Sequence, residues 1–357
     1  MPDIEAITTA DRATLAGFDA VIDVRSPSEF AEDHAPGAIN LPVLDDAERA
    51  EVGTIYVQDS RFRARRVGAA MVARNIARHL ETALADQPGS FRPLIYCWRG
   101  GQRSNAMATI LSQVGWRTAV LAGGYRTYRR HVKARLYDDG APLRLVLLDG
   151  HTGSAKTEIL ARIAARGLQT LDLEALAAHR GSLFGALSGR PQPSQKMFES
   201  RLLAAMEALD PGRPVLVEAE ASKIGDRMAP PMLWQAMVAA PRITLAVPPA
   251  ARASYLARVY ADSSAVTDLE LLDATLARLP GRHGRTTIAE WRALAEAGEL
   301  EALAAALIEA HYDPAYARAA AQDRKPRLGV VEIESLDDAG QDRAAAEIAA
   351  MLGRAGA

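Results

Sequence analysis

The sequence contains a single cysteine and no long apolar stretch, and these two shortages exclude several classes of protein. One cysteine in 357 residues cannot form an internal disulfide, and it rules out a zinc site built mainly from thiolates. No segment approaches the roughly 18 uninterrupted apolar residues that a membrane span requires. The first fifteen residues include acids and no apolar run, so we expect no secretory signal and a cytoplasmic location.

The rest of the composition is that of a soluble globular protein, with 49% hydrophobic and 24% charged residues, and the length suits two domains. The net charge of −2 hides an uneven distribution. Residues 1–58 contain twelve acids and three bases, whereas residues 59–137 contain fifteen bases and three acids. A solvated surface would account for such a window, but so few acids among so many bases favour a partner that carries phosphates.

Short apolar segments that alternate with helical patterns predict an α/β fold with parallel strands. In the N-terminal part, strands are predicted at 20–24, 93–96 and 118–121, and helices at 64–84 and 104–114.

A turn-rich segment, residues 137–142, predicts a linker, and the alternation restarts after it. Strands are predicted at 143–148, 214–217 and 243–247, and a region rich in Ala, Leu and Glu predicts helices within 266–310. We therefore expect two α/β domains, the second with a helical C-terminal part.

The lone cysteine follows an apolar strand and opens a loop that leads into a predicted helix. A thiol at this place faces successive backbone N–H groups and a helix N-terminus, which together with Arg99 and Arg103 favour the thiolate. Gly100 and Gly101 let the backbone curl around an anion. A lone cysteine is often buried and inert, but these neighbours favour a catalytic role for Cys97, Arg99 and Arg103. Because Arg103 lies six positions after Cys97, the spacing of cysteine phosphatases, a phosphatase stays an alternative.

A second loop, Gly150–Thr157, matches the phosphate-binding pattern G-x-x-x-x-G-K-[ST] except that Ala155 replaces the last glycine. The backbone N–H groups of such a loop wrap a diphosphate, Lys156 supplies positive charge, and Thr157 offers a ligand to Mg²⁺. Because Ala155 enters a helix, we expect it to need no positive φ. The predicted diphosphate-binding residues are Gly150, Gly153, Ser154, Lys156 and Thr157.

Acidic residues follow the strands that flank this loop. Glu218 and Glu220 come directly after a predicted strand, where a partner of Mg²⁺ or of water lies in such folds, and Asp172 lies in a polar stretch upstream. A helix cap or an exposed acid at a strand end accounts equally well for each of them. We treat Asp172, Glu218 and Glu220 as candidates for a metal ligand or for its surroundings.

The two loops occur with other distinctive segments, namely Asp23–Phe30, His34–Asn40, Gly123–Arg126, His179–Ser182, Gln192–Lys196 and His311–Pro314. The cysteine loop resembles that of the rhodanese superfamily, and its combination with a P-loop resembles the tRNA 2-selenouridine synthase family over nearly the whole chain. The resemblance implies a rhodanese-like parallel-sheet domain over residues 1–137 and a P-loop NTPase-like α/β domain with a helical C-terminal region over residues 138–357. Ala155, and Ala219 between two glutamates, depart from the family pattern.

The resemblance implies a transferase that modifies the wobble 2-thiouridine of tRNA in two steps. Geranyl diphosphate first alkylates the thiocarbonyl sulfur, and selenium from selenophosphate then replaces the geranylthio group to give 2-selenouridine. No tightly bound cofactor is implied beyond Mg²⁺ at Thr157, and an enzyme that supplies selenophosphate would be a partner. We assign the diphosphate to the P-loop, where Lys156 stabilises the departing charge, and the selenium step to Cys97, which either carries selenium or attacks the substrate.

The resemblance makes tRNA the expected partner of the basic residues within 59–137, because arginine and lysine side chains bind tRNA phosphates. Trp98, Tyr125 or Tyr128 would stack an unpaired anticodon base, although core packing is the commoner role of a single aromatic residue. The candidates for phosphate contact are Arg61, Arg63, Arg65, Arg66, Arg126, Arg129, Arg130, Lys133 and Arg135.

Two other functions remain open from the residues. One is a phosphatase or sulfurtransferase with an appended P-loop kinase or ATPase, which would turn over a phosphoester, thiosulfate or ATP without tRNA. The other is a tRNA-binding adaptor whose catalytic loops have decayed, which the intact Cys97, Arg103, Lys156 and Thr157 argue against.

Overall fold

The computed structural model describes residues 4–139, 143–187, 189–261, 263, 266, 268–277, 279, 283–320 and 326–355. The chain divides into two compact units. The first comprises Met1–Asp139 with Glu199–Glu207, and the second comprises Gly140–Phe198 with Ala208–Ala357.

The first unit is built on a parallel sheet whose strands are β1 (Glu5–Ile7), β2 (Ala20–Asp23), β3 (Ile39–Asn40), β4 (Pro93–Tyr96) and β5 (Ala119–Leu121). Their order across the sheet is β1-β5-β4-β2-β3, and every pairing is parallel. All four residues of β4 are buried, because helices cover both faces of a parallel sheet. The carboxyl end of this central strand delivers the cysteine.

Six helices surround this sheet: α1 (Arg12–Ala16), α2 (Pro27–Glu32), α3 (Asp46–Gln58), α4 (Arg61–Glu81), α5 (Gln102–Val114) and α6 (Tyr125–Lys133). A π-helical turn, Ala134–Asp138, continues α6. The start of α2 follows the sequence signal closely, with Ser26 as N-cap, Pro27 in the first turn and Glu29 completing a capping box. Apolar side chains of α4 and α5 pack on the sheet to form its core.

The second unit also has a five-stranded parallel sheet, in the order β12-β11-β6-β8-β7. A small antiparallel hairpin, β9 with β10, lies outside it. The strands are β6 (Arg144–Gly150), β7 (Gln169–Leu171), β8 (Pro214–Glu218), β9 (Lys223–Ile224), β10 (Arg227–Met228), β11 (Arg242–Ala246) and β12 (Arg327–Glu332).

In the described part of the chain, further α-helices follow α6. They are α7 (Lys156–Ala165), α8 (Leu173–Ala177), α9 (Gln195–Glu207), α10 (Pro231–Ala239), α11 (Pro249–Ala261), α12 (Leu269–Leu276), α13 (Arg285–Glu296), α14 (Leu300–Leu307), α15 (Asp313–Ala320) and α16 (Asp338–Ala355). The sheet core includes α7 and α16, whereas α11 to α14 form a separate helical core around Trp291 and Tyr260. Helix α9 contributes its last nine residues, Glu199–Glu207, to the first unit.

The structure confirms the predicted α/β class with two parallel sheets and a helical region toward the C-terminus. Among the elements that the sequence prediction did not place are β1, β7, β12, the β9–β10 hairpin, α3 and the crossing of α9, and α5 begins at Gln102 rather than at Ser104. Part of the predicted linker, residues 140–142, lies outside the described residues. Within the described residues, no helix is both long enough and apolar enough to cross a membrane.

Candidate active sites

The cysteine loop connects β4 to α5 and surrounds the thiol of Cys97 with hydrogen-bond donors. The sulfur accepts a hydrogen bond from the backbone N–H of Gly101 at 3.3 Å, and it lies 3.3 Å from the hydroxyl oxygen of Ser104. Gly100 has a φ of +64°, a left-handed conformation that favours glycine and that turns the loop back around the sulfur. Cys97 is therefore buried in a polar cradle rather than in an apolar core alone.

This cradle changes the acidity of the thiol. Burial raises the pKa of Cys97, but the donors outweigh burial and bring the pKa below its ordinary value. The lowering comes from the hydroxyl of Ser104 and from the backbone N–H groups of Ser104, Gly101 and Arg99. Because the thiolate is the nucleophilic form of cysteine, the loop is suited to nucleophilic or group-carrying chemistry.

The two arginines of the loop differ in their surroundings. Arg103 Nη1 lies 2.6 Å from Glu29 Oε2, so its charge is neutralised by an acid from α2. Burial raises the pKa of Glu29, but Arg103, the backbone N–H of Ser26 and the charge of Arg49 together outweigh burial, so that the pKa is lowered. Arg99 is exposed. The structure shows that the charge of Arg103 is engaged by a residue 74 positions away, and the expectation that both guanidinium groups favour the thiolate stays a prediction.

The segment that begins with Gly123 and Gly124 packs against the cysteine loop and donates backbone hydrogen bonds to it. Tyr125 donates its backbone N–H to the carbonyl oxygen of Cys97 at 2.8 Å, and Arg126 donates to that of Trp98 at 3.3 Å. Gly124 has a φ of +58°, and a Cβ at this position would overlap the carbonyl oxygen of Cys97. The Gly-Gly-Tyr-Arg segment therefore fixes the path of the loop.

Beneath the loop lies a buried ion pair that holds the sheet and α2 together. Arg25 is 1% exposed and binds both carboxylate oxygens of Asp23, with Nη2 to Oδ2 at 2.6 Å. The same guanidinium donates to the backbone carbonyl of Asp33 and lies 4.1 Å from the ring centre of Tyr125. Both charges are fully paired, so this part of the distinctive N-terminal sequence shapes the loop's surroundings.

The three candidate aromatic residues do not form an open platform for bases. Tyr125 and Tyr128 are buried, and the hydroxyl of Tyr125 donates to Asp33 at 2.6 Å. Trp98 is half-buried and stacks on Tyr125, with ring centres 5.2 Å apart. Of the three side chains, only Trp98 retains solvent-facing surface, and the other two pack in the core.

The basic candidates fall into an exposed group and a paired group. Arg61, Arg65 and Arg66 are exposed on the first two turns of α4. Arg129 is half-buried and binds Glu199 of α9, so its charge is used inside the first unit. Further exposed members are Arg126, Arg130 and Lys133 on α6, while Arg63 pairs with Asp59 at 2.5 Å and Arg135 pairs with Asp139 at 3.6 Å.

In the second unit, the phosphate loop connects β6 to α7, as the motif predicts. Gly153 has a φ of +85°, and a Cβ there would press against Leu256. Ala155 has a φ of +55°, so the expectation that this position needs no positive φ is wrong. The alanine occupies the left-handed conformation that the usual glycine adopts freely, at a cost of about 1 kcal/mol.

The polar atoms of the loop are arranged around the start of α7. Lys156 donates its Nζ to the carbonyl oxygen of Gly150 at 3.1 Å. The buried hydroxyl of Ser154 has no hydrogen-bond partner among the described residues. A buried hydroxyl without a partner, next to a helix N-terminus, is suited to a bound anion.

Three glutamates face the end of this loop. The hydroxyl of Thr157 lies 2.9 Å from Glu174 Oε2 and 2.8 Å from Glu218 Oε1. A single hydroxyl donates one proton, so one of the two carboxyl groups must itself be protonated for both contacts to be hydrogen bonds. Burial, together with the neighbouring carboxylates, raises the pKa of both Glu174 and Glu218. Glu220 is the third acid, and it approaches Glu174 across Gly181.

Glu174 was not among the predicted site residues, although it follows Asp172 by two positions. Asp172 caps α8 by accepting the N–H of Ala175 at 2.7 Å, which is the helix-cap alternative. Among the described residues, no group of three or more His, Cys, Asp or Glu side chains is arranged to hold a metal ion. Mg²⁺ beside a phosphate loop needs fewer protein ligands, because the phosphate supplies oxygens, and Thr157 with Glu218 fits that smaller set.

The phosphate loop opens into a cavity of about 250 Å³, here named the P-loop cavity. One side consists of the loop itself with Glu174 and Glu220. A largely apolar part of the lining comes from α11 and from Phe184 in the segment between α8 and α9, where Arg180 also lines the cavity. The residues of this apolar part are Phe184, Tyr255, Leu256, Val259 and Tyr260.

A charged cluster connects the loop to the helical region. Asp313 accepts hydrogen bonds from both Arg252 Nη1 at 2.8 Å and Arg252 Nη2 at 2.7 Å, and His151 Nδ1 lies 2.8 Å from it. His151 also stacks on Tyr316, with ring centres 3.9 Å apart. The distinctive His-Tyr-Asp-Pro segment therefore fixes the second residue of the phosphate loop.

Comparisons with known proteins match both halves of the chain. Residues 9–131 match the model of the rhodanese-like domain, and residues 143–279 match that of the tRNA 2-selenouridine synthase AAA domain. The tRNA 2-selenouridine synthase of Cupriavidus pinatubonensis is 33% identical over 329 residues, which are 83% of this chain and 87% of that protein. The one from Nitrosomonas europaea is 38% identical over 57% of this chain, and the match spans only 54% of its own length. A crystal structure of a rhodanese-related protein from Thermoplasma volcanium is 19% identical, covers 36% of this chain and 92% of that chain, and has a TM-score of 0.24.

Proposed function

Because this chain belongs to the tRNA 2-selenouridine synthase family, we propose that it replaces sulfur with selenium in the wobble 2-thiouridine of tRNA. The proposed reaction has two steps. Geranyl diphosphate alkylates the sulfur, and selenium from selenophosphate then displaces the geranylthio group. Alkylation is chemically necessary because a thiocarbonyl sulfur leaves poorly, whereas a thioether sulfur leaves as a thiolate.

The first step is supported mainly by the lining of the P-loop cavity, which combines an anion-binding loop with apolar side chains. A phosphate loop with the unpartnered hydroxyl of Ser154 lines the same cavity as apolar side chains such as Phe184 and Leu256. A ligand that joins a diphosphate to a short hydrocarbon chain matches both parts of this lining. The thiouridine sulfur forms a bond to C1 of the geranyl group, the bond from C1 to the diphosphate oxygen breaks, and the diphosphate leaves with its electrons.

Residues of the loop stabilise this leaving group. The backbone N–H groups at the start of α7 and the ammonium group of Lys156 lie where negative charge develops on the diphosphate. Thr157 and Glu218 would hold Mg²⁺, which when bound neutralises diphosphate charge. The base also loses its N3 proton when its sulfur is alkylated, and the carboxyl group of Glu220 lines the same cavity.

The second step uses the cysteine loop. Selenium becomes bonded to C2 of the base, the bond from C2 to sulfur breaks, and geranylthiolate leaves. Water takes up the phosphoryl group of selenophosphate and releases phosphate. The lowered pKa of Cys97 supports its participation as a thiolate that displaces geranylthiolate from C2. Selenium from selenophosphate then bonds to C2, and the Cys97 thiolate leaves with the electrons of the C2–sulfur bond.

The proposed substrate is a polyanion, and the exposure of Arg61, Arg65 and Arg66 on α4 supports their contact with its phosphates. We further propose that the protein acts in the cytoplasm, where tRNA is modified, and that an enzyme supplying selenophosphate is its partner.

The proposal is tested by mass spectrometry of nucleosides from a 2-thiouridine tRNA incubated first with geranyl diphosphate and then with selenophosphate. We expect an S-geranyl nucleoside after the first addition and 2-selenouridine after the second. Lys156→Ala should lose the first product but still convert tRNA that has been geranylated chemically, whereas Cys97→Ser should stop at the geranyl nucleoside. Lys223→Ala, an exposed lysine on the β9 hairpin, is the matched control and should behave as wild type.

Unchanged 2-thiouridine after both additions would refute the proposal. Turnover of ATP, thiosulfate or a phosphoester without tRNA would then favour the phosphatase or sulfurtransferase alternative. Trapping the second step with acid and analysing the protein tests the role of Cys97, since displacement of geranylthiolate by its thiolate leaves a nucleotide bonded to the cysteine.

A further inference from the structure

The first unit contains a cavity of about 540 Å³ to which the proposed function assigns no role. It lies where α3, α4 and the first turn of α5 meet, and we name it the arginine cavity. Its apolar surface comes from Leu44, Val52, Tyr56, Ala69 and Val72. Small residues on α4 open the space, because Gly68 approaches the side chain of Val52 without a side chain of its own.

Three arginines line the same cavity. Arg103 is bound to Glu29, and Arg49 lies close enough to the same carboxyl group to help lower its pKa, whereas Arg65 forms no ion pair with any acid in the described part of the chain. Three arginines against the single carboxylate of Glu29 leave an excess of positive charge. The combination of an apolar surface with this excess is typical of a site for an amphiphile whose polar part is anionic. A small hydrophilic ion such as selenophosphate would need no apolar surface.

The outer edge of the cavity is also apolar where a soluble surface is normally polar. Tyr56 is 47% exposed, and Val57 and Phe62, the chain neighbours of Tyr56 and of Arg61, are 81% and 75% exposed. Arg61 lies over the ring of Tyr56, at 5.5 Å from its centre. An apolar edge surrounded by arginines fits a partner that presents both hydrocarbon and phosphates.

The cavity adjoins the cysteine loop through α5. Gln102 and Arg103 line it, and they lie between Gly101 and Ser104, the two residues that contact the sulfur of Cys97. A nucleotide whose reacting carbon is at Cys97 would therefore have the arginine cavity within reach of a substituent on that carbon.

We propose that the arginine cavity binds the prenyl chain of the S-geranylated wobble nucleotide during the selenium step, while Arg49 and Arg65 contact its flanking phosphates. This inference rests on the proposed function and deepens it. It explains how the protein would recognise the intermediate rather than the starting tRNA, since only the intermediate carries a hydrocarbon chain. Held there, the chain places C2 of the base beside the thiolate.

The test uses anticodon stem-loops whose 2-thiouridine has been alkylated chemically, so that it does not depend on the first enzymatic step. We expect wild type to bind the S-geranyl stem-loop roughly tenfold tighter than the S-methyl one in fluorescence anisotropy, which burial of about two methylene groups produces. Ala69→Phe fills the cavity from the exposed face of α4 and should remove this preference while leaving the affinity for the S-methyl stem-loop unchanged. Ala70→Phe, the exposed neighbour that does not line the cavity, is the matched control and should keep the preference.

Equal affinity of wild type for the two stem-loops would overturn the inference, as would an unchanged preference in Ala69→Phe. A stem-loop with a photoreactive group at the end of the chain gives a second readout. Crosslinks to residues 44–72 support the arginine cavity, and crosslinks to residues 252–260 of the P-loop cavity contradict it. A protein that binds the geranyl chain as expected but yields no selenouridine would contradict the proposed function alone, so the two failures are distinguishable.

Discussion

The acidity of Cys97 depends on one hydroxyl, and removing that hydroxyl gives a measurable prediction. Ser104 lies 3.3 Å from the sulfur and 3.1 Å from the carbonyl oxygen of Gly101, so its single proton serves one of two acceptors. A hydrogen bond to a charged group contributes roughly 1.5–3 kcal/mol, and one pKa unit corresponds to about 1.4 kcal/mol. Because the proton is shared, we expect Ser104→Ala to raise the pKa of Cys97 by about one unit.

The measurement is unusually clean because the chain contains no other cysteine. The rate of alkylation by iodoacetamide as a function of pH reports the Cys97 thiolate alone. Below the pKa the variant should react about tenfold more slowly than wild type, and both should reach the same plateau at high pH. Ser112→Ala removes a buried hydroxyl from the same helix, one that donates to the carbonyl of Thr109 at 3.2 Å, and should leave the profile unchanged.

A profile of Ser104→Ala that coincides with wild type would refute the reasoning. It would mean that the hydroxyl donates to Gly101 in the thiolate form, and that the backbone N–H groups alone lower the pKa of Cys97.

Three further predictions follow from the geometry. Gly124→Ala should destabilise the protein by about 3 kcal/mol or more and slow alkylation of Cys97, because the added Cβ overlaps the cysteine loop. Gly115 also has a positive φ but has open space around it, so Gly115→Ala should cost only about 1 kcal/mol. Chemical denaturation measures both free energies of unfolding. Glu174→Gln should raise the melting temperature at pH 8 without divalent cations and leave it unchanged at pH 4. The reason is that a carboxyl group whose pKa is raised in the folded state makes the protein less stable as the pH rises. Equal effects at the two pH values would contradict the raised pKa of Glu174. The affinity for 2-thiouridine tRNA should fall by roughly a hundredfold or more between 50 and 200 mM salt. Replacing Arg61, Arg65 and Arg66 together by glutamine should reduce this dependence of the affinity on salt. An affinity of the wild type that does not change with salt would exclude phosphate contacts.

Local patterns in the sequence were sufficient for much of the fold. The strands that deliver Cys97 and the phosphate loop are short apolar runs, and Ser26 with Glu29 marks a helix start within four residues. These signals depend on neighbours along the chain. The predicted α/β class and the position of both loops are therefore recovered in the structure.

Interactions between residues far apart in the sequence could not be predicted from local patterns. Nothing in the loop sequence reveals that Arg103 is neutralised by Glu29, because the two residues are 74 positions apart. The roles of Tyr125 and Arg129 likewise depend on burial against Asp33 and Glu199. Such pairings need the three-dimensional arrangement.

The phosphate loop illustrates a different limit. Its motif predicts where the loop begins and ends, but the left-handed conformation of Ala155 follows from the geometry of the whole loop rather than from the preference of alanine. Glu174 was missed because the sequence shows it as one acid in a polar stretch, and only the fold brings it to Thr157.

The path of α9 limits how the protein can be divided. The chain passes between the units after Asp139, after Phe198 and again after Glu207, so a single cut at the turn-rich segment does not separate them cleanly. A fragment ending at that turn would leave Arg129 and His131 without Glu199 and Glu207, their carboxylate partners. Anyone who wishes to study the cysteine half in isolation, or to graft it onto another enzyme, would have to carry this stretch of α9 along as a separate peptide or an engineered fusion.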